Sequence, residues 1–150
     1  MKTAHAYSEA ITSLLDMLAC LPELAGVQVV EAFPGANPER EIVAVGSEVT
    51  FNDDWAPFGR LGRESNWTAK GFISITTPGL TTAQARDRCM EIASAIARGF
   101  IRDISTVTLN NSTRWSSFQL TRFGPYPTEE GVGAFAEFSV DGKARWTHDT

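Results

Sequence analysis

The sequence contains little cysteine and little histidine, two of each among 150 residues. Cys20 and Cys89 lie within helical patterns, and neither has a second cysteine or a histidine at metal-ligand spacing. We therefore expect both to be buried free thiols, with a disulfide between them as the alternative. His5 and His148 lie near the chain ends, whereas a catalytic triad or a zinc site needs a histidine held rigidly by its neighbours. This scarcity argues against thiol, zinc and triad chemistry.

Long apolar runs and an excess of basic residues are also missing. No stretch approaches the roughly 18–20 apolar residues that cross a bilayer, and the first residues have no continuous apolar region of the signal-peptide type. We therefore expect neither secretion nor a membrane partner. The chain has 13 Lys and Arg against 18 Asp and Glu, a net charge of −5. This balance argues against a dedicated nucleic-acid-binding protein, but it suits a wall past which DNA slides without sticking.

Two short motifs could indicate a binding site, but neither has the required context. Gly131, Gly133 and Ala136 match G-x-G-x-x-A, which binds dinucleotides where it follows a strand and opens a helix. The residues that follow alternate between apolar and polar, which predicts a strand and leaves no helix N-terminus for a pyrophosphate. Residues 52–54, Asn-Asp-Asp, offer oxygens to a hard cation, but Trp55 and its successors interrupt the pattern of an EF-hand loop.

The sequence therefore predicts no catalytic residue, no cofactor-binding residue and no metal ligand, and we expect a protein that is not an enzyme. An alternative of another class stays open. It is a small cytosolic enzyme whose site is assembled from scattered carboxylates, because two such groups need only meet in space.

Two segments have the periodicity of amphipathic helices, residues 5–20 and residues 82–102. Thr81 or Thr82 can cap the second helix by accepting a backbone amide hydrogen bond. The apolar face comprises Tyr7, Ile11, Leu14, Leu18 and Leu21 in the first helix and Ala85, Cys89, Ile92, Ile96 and Phe100 in the second. Both helices are expected to cover a core.

Five segments have the composition of β-strands, at about residues 27–31, 41–51, 64–77, 114–123 and 132–141, with a continuation of the last strand at 143–146 left open. The order α-β-β-β-α-β-β contains a single helical crossover. We therefore predict one α+β domain over residues 1–150, a mainly antiparallel sheet with two helices packed on one face. Ile11, Leu14, Leu18, Ile92 and Ile96 should be buried against Val43, Val45, Trp67 or Ile75.

The connections between these strands contain two notable segments. Pro125, Pro127 and Gly131 predict a long connection between the last two strands. Residues 52–63 are predicted to form a long loop in which aromatic residues and arginine are concentrated. This composition is typical of interaction surfaces, although the aromatic side chains could instead fold back onto the core. The candidate subunit-contact residues are Trp55, Phe58, Arg60 and Arg63.

The arrangement as a whole resembles the tail terminator proteins of long-tailed, siphovirus-type bacteriophages. Three stretches over about residues 7–110 carry this resemblance. They are the opening helix with Leu18, Leu21-Pro22 and Gly26-Val27-Gln28-Val29; Ile42-Val43-Ala44-Val45-Gly46 followed by Trp55, Gly59 and Arg63-Glu64; and Ala85-Arg86-Asp87-Arg88 opening a long helix that ends before Val107-Thr108-Leu109. No single motif among them is specific, so the resemblance lies in their order and in the size of the chain.

The resemblance implies a structural virion protein that forms a ring, most often of six copies, on the end of the tail tube. Such a ring stops tube polymerisation and joins the tail to the head. The implied partners are further copies of the chain, the major tail tube protein and a head-closure or connector protein. DNA would pass through the lumen, and assembly would take place in the host cytoplasm. The alternative within the virion is a head-closure or other head–tail connector protein.

Overall fold

The computed structural model describes residues 6–36, 38–55, 62–102, 108–110 and 113–147. Two α-helices, one short 3₁₀ helix at Pro22–Leu24 and six strands form the described part of the chain. The helices are α1 (Ala6–Ala19) and α2 (Thr82–Arg102). The strands are β1 (Gln28–Glu31), β2 (Glu41–Trp55), β3 (Gly62–Ile75), β4 (Thr108–Asn110), β5 (Thr113–Thr128) and β6 (Gly131–Thr147).

The strands form one sheet in the order β1-β2-β3-β6-β5-β4. Strand β1 pairs in parallel with β2, and the other four pairings are antiparallel. The predicted α+β class with a mainly antiparallel sheet is therefore confirmed. The three-residue strand β4 was not expected from the sequence, because so short a segment carries no periodicity.

Both helices pack on the same face of the sheet, as predicted. The five helix residues and four sheet residues expected in the core all belong to one buried cluster. Strand β3 shows the expected alternation, with Trp67, Ala69, Ile73 and Ile75 buried and the polar residues between them less so. Burial of this apolar face contributes roughly 25 cal/mol per Å² of apolar surface removed from water. The apolar residues that recur at helical spacing therefore hold both helices against the sheet.

Helix α2 begins with a reciprocal cap. The Thr81 hydroxyl accepts a hydrogen bond from the Gln84 backbone amide at 3.1 Å, and the Gln84 side chain accepts one from the Thr81 amide at 2.9 Å. This capping box satisfies two amides that have no partner within the helix. It explains why the predicted start of α2 agrees with the structure.

Two predicted connections are wrong because strand pairing extends further than the alternation indicates. Residues 52–55 belong to β2 and residues 62–63 to β3, so the loop expected over 52–63 is wrong at these positions, and residues 56–61 lie outside the described residues. Asparagine and aspartate are poor strand formers, but pairing with a neighbouring strand overrides this weak preference. The connection between β5 and β6 is a two-residue turn at 129–130. Pro125 and Pro127 lie inside β5. In the order of the sheet this strand has only the three-residue β4 beyond it, so it lies close to an edge, where proline is tolerated.

Three glycines lie directly opposite aromatic residues in the sheet. Gly71 pairs with Phe138, Gly142 with Trp67 and Gly133 with Tyr126. A Cβ at Gly142 would lie 2.6 Å from Cε2 of Trp67, and one at Gly133 would lie 2.7 Å from Cζ of Tyr126. Each aromatic ring therefore lies over the backbone of its partner strand, which a larger residue would prevent.

A partly buried ion pair ties α2 to the start of β2. Nε and Nη2 of Arg88 each donate to one carboxylate oxygen of Glu41 at 2.8 Å, and Nη1 donates to Glu91 at 2.6 Å. The side chains of Arg88 and Glu41 are only 22% and 21% exposed. These hydrogen bonds to Glu41 raise the pKa of the Arg88 guanidinium above its usual value. Bidentate pairing of this kind fixes geometry as well as charge.

Replacing Gly142 with Ala should destabilise the protein by about 1–3 kcal/mol, because the new methyl group forces the Trp67 ring or the backbone to move. The matched control is Gly124→Ala in β5, where a Cβ meets nothing within 4 Å. Urea unfolding followed by tryptophan fluorescence measures both variants. Equal stabilities for the two variants would show that the Trp67–Gly142 contact imposes no steric constraint.

Replacing Arg88 with Ala should lower the free energy of unfolding by about 2 kcal/mol, since it leaves the Glu41 carboxylate partly buried and unpaired. Arg86→Ala serves as the control because Arg86 pairs with Asp87 on an exposed surface. Such exposed pairs contribute about 0–1 kcal/mol. A loss for Arg88→Ala no larger than that for Arg86→Ala, measured by chemical denaturation, would contradict the structural importance of the Glu41 pair.

Candidate functional site

Strand β2 is much longer than the strand beside it. Strand β1 pairs only with residues Ile42–Val45 of β2. From Glu48 to Trp55, β2 pairs with β3 on one side, and no strand within the described residues pairs with its other side. The backbone N–H and C=O groups along an edge of this kind are available to a strand from another polypeptide.

A bulge separates the covered part of β2 from the open part. Gly46 and Ser47 are extra residues between the pairs Val45–Gly71 and Glu48–Lys70. Gly46 has a φ of +97°, and a Cβ there would lie 3.0 Å from the Tyr7 hydroxyl oxygen. Glycine is therefore favoured both by the backbone conformation and by the lack of space.

Four aromatic rings meet at the base of the open segment. Tyr7 meets Phe51, Trp67 and Trp115 edge to face, with ring centroids 5.6, 5.9 and 6.4 Å away, and the two indoles meet at 5.8 Å. Nε1 of Trp115 donates to the Ala10 carbonyl at 2.9 Å, which holds α1 against the sheet. Burial, and secondarily the charge of Glu31, raises the pKa of Tyr7 to about 12.

Phe51 is the exposed member of this cluster. It lies on the open part of β2, and 47% of its surface remains accessible. Phe51 is not among the candidate contact residues that the sequence predicts. That exposure follows from the tertiary structure, because β1 ends before it reaches Phe51.

Two of the four candidate contact residues lie at the end of the described pairing between β2 and β3. Trp55 and Arg63 are paired at its outermost described step. Phe58 and Arg60 lie outside the described residues, as do the side chains of Trp55 and Arg63. Their role in subunit contact therefore stays a prediction.

A second exposed aromatic residue was missed from the sequence. Phe33 is 66% exposed and follows Ala32, which has a φ of +64°. The Phe33 amide donates to the Glu31 carbonyl at 2.7 Å, which forms a tight turn around Ala32. The exposure of Phe33 depends on the backbone conformation of the single residue Ala32. A feature of one residue has no period that a sequence pattern could show.

The sheet face opposite the helices is polar near the open end of the hairpin. Asp141 accepts hydrogen bonds from Thr68 at 2.6 Å and from Ser117 at 2.8 Å, so its carboxylate links β3, β6 and β5. Nearer the other end, Phe72 and Phe135 stack with centroids 5.4 Å apart. The Asp141 carboxylate is therefore engaged in hydrogen bonds between strands.

The other candidate motifs of the sequence lie in strands. The run 52–54 lies within β2 and not in a loop of the EF-hand type. Gly131 and Gly133 begin β6, which confirms the predicted strand after the glycine motif. Among the described residues, no three or more His, Cys, Asp or Glu side chains are grouped to hold a metal.

The two cysteines are free, but only one matches its expected environment. Cys89 is fully buried, and burial raises its pKa to about 11. Cys20 is exposed because it lies just beyond the last turn of α1, so its predicted burial is wrong. In the described part of the chain, no helix is both long and apolar enough to span a bilayer.

Comparison with known proteins identifies a similar fold. No protein-family model matches the sequence, and no curated protein does either. A similar solved structure is a chain from the virion of a native gene transfer agent particle, with a TM-score of 0.52 and 15% sequence identity. The match covers 96% of this chain and 99% of the other. The two chains therefore share a fold over nearly their whole lengths.

Proposed function

We propose that this protein is a structural component of a phage-type virion, and specifically a tail terminator. The observation that carries the proposal is the fold shared, over nearly the full length of both chains, with a chain of a gene transfer agent virion. The sequence resemblance to tail terminators, found on residues 7–110, supports the finer assignment. In this role the protein binds and positions other proteins and catalyses no reaction.

In the proposed assembly, six copies form a ring on the finished end of the tail tube. A closed ring needs two different, complementary surfaces on each copy. Among the described residues the two sides of the sheet differ, since β1 pairs with β2 only up to Val45 and β4 pairs with β5 only at Thr113 and Arg114. These unlike edges support a head-to-tail arrangement of copies.

The ring would lie at the head–tail junction of the virion and would be assembled in the host cytoplasm. One surface would contact the major tail tube protein and the opposite surface a head-closure or connector protein. The net charge of −5 suits a lumen through which DNA passes without binding, because like charges suppress phosphate contacts. Trp55, Phe58, Arg60 and Arg63 are the proposed contact residues.

Electron microscopy of particles assembled without this protein tests the proposal. A tail terminator is expected to leave overlong tubes that are not joined to heads, because nothing stops polymerisation. Tails of normal length beside heads that leak DNA would instead indicate a head-closure protein. Particles of normal length, attachment and DNA content would contradict a structural role in the virion and favour an enzyme.

Combined replacement of Trp55, Phe58 and Arg60 with Ala should also give overlong or unjoined tails, while circular dichroism shows a folded chain. Aromatic and arginine anchors commonly contribute 2 kcal/mol or more each to an interface. Phe33→Ala is the control, since Phe33 is exposed but lies outside the hairpin. Normal head-attached tails from the triple variant would remove the hairpin tip from the interface.

A further inference from the structure

Most basic side chains of the described residues have a carboxylate partner, as expected in a chain with 18 acidic and 13 basic residues. The structure describes eight lysine and arginine side chains. Six of them form an ion pair within this chain, namely Arg40, Lys70, Arg86, Arg88, Arg98 and Arg122. The other two are Arg114 and Lys143, whose side chains form neither an ion pair nor a hydrogen bond with any described residue.

The two cations without a partner lie directly opposite each other. Arg114 in β5 pairs with Lys143 in β6, so both side chains lie on one face of the sheet. Trp115, the next residue of β5, is buried in the core under the helices, and the pair therefore lies on the face opposite the helices. Cβ atoms of directly opposite residues are about 4.5–5.5 Å apart, a spacing at which like charges destabilise strand pairing.

The row of the sheet that contains this pair supplies no negative charge. On its other side Lys143 pairs with Asn66, which pairs with Asn52, and Arg114 pairs with Thr108 of β4. Neutral residues therefore flank the two cations at these register positions. Because β4 already occupies the backbone beside Arg114, the row can contact a partner only through its side chains.

One carboxylate of described position lies near the pair, and it is held by other groups. Asp141 is two residues from Lys143 along β6. Its Oδ1 accepts a hydrogen bond from the Thr68 hydroxyl at 2.6 Å, and its Oδ2 accepts one from the Ser117 hydroxyl at 2.8 Å. Each carboxylate oxygen is thus directed to a neighbouring strand, and within the described residues Asp141 forms no ion pair with either cation.

The backbone beneath the pair is held firmly in place. Trp115, which follows Arg114, is fully buried and donates from Nε1 to the Ala10 carbonyl at 2.9 Å. Trp115 pairs with Gly142, which precedes Lys143. Arg114 is exposed and Lys143 is partly buried, so both cations are presented to a partner from fixed positions. Such preorganisation lowers the entropic cost of binding.

The chemistry of the pair suits a carboxylate. The guanidinium of arginine offers two parallel N–H donors that match the two oxygens of a carboxylate. The ammonium of lysine adds a compact positive charge with three donors. A carboxylate placed between Arg114 and Lys143 would therefore bind both and remove the repulsion between them.

A polyanion such as DNA fits this face less well than a single carboxylate. Glu48 and Glu137 lie on the same face, with side chains 66% and 42% exposed, and the whole chain has a net charge of −5. Double-stranded DNA carries about one negative charge per 1.7 Å of its axis. Its further phosphates would meet these carboxylates, whereas one carboxylate of a protein meets only the cation pair.

A second copy of this chain is also disfavoured as the partner. Among the described carboxylates without a basic partner, Asp16 lies on α1, on the other face of the sheet. Glu39 and Glu129 lie before β2 and in the β5–β6 turn, at the end of the sheet remote from Arg114. Two copies with a net charge of −5 each also repel one another.

We propose that Arg114 and Lys143 form a docking site for an aspartate or glutamate side chain of a second protein. The carboxylate bridges the two cations on the sheet face opposite the helices. The chemistry of the site follows from the geometry of this chain. Only its place in a virion, where the second protein is a neighbour of the ring, rests on the proposed function.

The stability of the isolated chain tests the repulsion on which the site depends. Lys143→Gln should raise the urea midpoint by about 0.2–0.5 M at low salt, because it removes one of two opposed like charges. The rise should shrink in 1 M salt, where the screening length is about 3 Å. Lys70→Gln is the matched control on the same face, since Lys70 has Glu48 at 3.4 Å. Equal midpoints for the two variants would overturn the inference.

A titration of the labelled full chain with a tetraglutamate peptide tests the binding. At low ionic strength we expect the Arg114 and Lys143 resonances to shift and to saturate at millimolar peptide. Arg114→Gln with Lys143→Gln should weaken this binding at least about tenfold. Lys70→Gln with Arg122→Gln, which removes the same charge from the same face, should weaken it much less.

Each other outcome of the titration overturns the proposal in a defined way. Equal binding by the two double variants would show that the peptide senses only net charge. Tighter binding of inorganic phosphate or of a 12-base-pair duplex DNA to Arg114 and Lys143 would assign the site to phosphate. Self-association of the chain that the Arg114→Gln, Lys143→Gln variant loses would assign it to a second copy.

Carbodiimide cross-linking of intact particles identifies the partner. The reagent joins a lysine amine to a carboxylate in contact with it as an amide, taking up the water that is lost. We expect mass spectrometry to find Lys143 joined to an aspartate or glutamate of another protein. The amide between Lys70 and Glu48 within one chain is the internal control. That control without a Lys143 product, or Lys143 joined to a second copy of this chain, would contradict the proposal.

The failure of this inference and that of the proposed function are distinguishable. Particles that do not contain the chain would contradict the virion role, while the peptide titration would still decide whether the cation pair binds carboxylates. Overlong tails in particles lacking the protein, together with a titration that ignores Arg114 and Lys143, would keep the tail-terminator role and exclude this docking site.

Discussion

The indole of Trp67 lies across the backbone of Gly142 and meets the rings of Tyr7 and Trp115, and the layering of the molecule depends on this contact. Tyr7 belongs to α1, Trp67 to β3, Gly142 to β6 and Trp115 to β5. One ring therefore connects the helix to three strands. The hydrogen bond from Trp115 to the Ala10 carbonyl then holds α1 in place. Because aromatic rings are rigid and large, this arrangement leaves few alternatives for the position of the helix.

The same arrangement leaves the sheet with unequal sides. Strand β2 continues from Glu48 to Trp55 after β1 has ended, and Phe51 meets Tyr7 edge to face while 47% of its surface remains accessible. On the opposite side of the sheet, β5 contains Arg114 and Arg122, two bulges and the prolines Pro125 and Pro127. A molecule with two unlike edges is suited to head-to-tail assembly, since each copy then offers two different surfaces. The proposed ring is consistent with this asymmetry.

The helices were predictable because their burial is periodic and their ends carry local signals. The predicted bounds of α2 agree with the structure, and Thr81 with Gln84 supplies the local reason. Strand β3 was predictable because one face of it is buried throughout. The loop expected over 52–63 was wrong at residues 52–55, where Asn52, Asp53 and Asp54 are residue types uncommon in strands. Their backbone nevertheless pairs with β3, so the preference of single residues was overridden by the neighbouring strand.

The candidate contact residues show where sequence reasoning stops. A concentration of aromatic residues and arginine over 52–63 predicted a contact region, since composition reports what a surface can bind, and that role stays a prediction. Composition does not report which backbone groups remain unpaired. The exposure of Phe51 depends on the length of β1, and that of Phe33 depends on a turn at one residue, Ala32. Neither feature has a sequence period from which it could be derived.

By itself, the amino-acid sequence determined the fold class, both helices, the buried face of β3 and the acidic charge of the chain. These features follow from periodicity, capping and composition, which act over short stretches. Only the tertiary structure decided how far β2 extends past β1, which glycines lie beneath aromatic rings and which edge of the sheet is left open. Those features arise from pairing between residues far apart in the chain, and their energy depends on partners that no local pattern identifies.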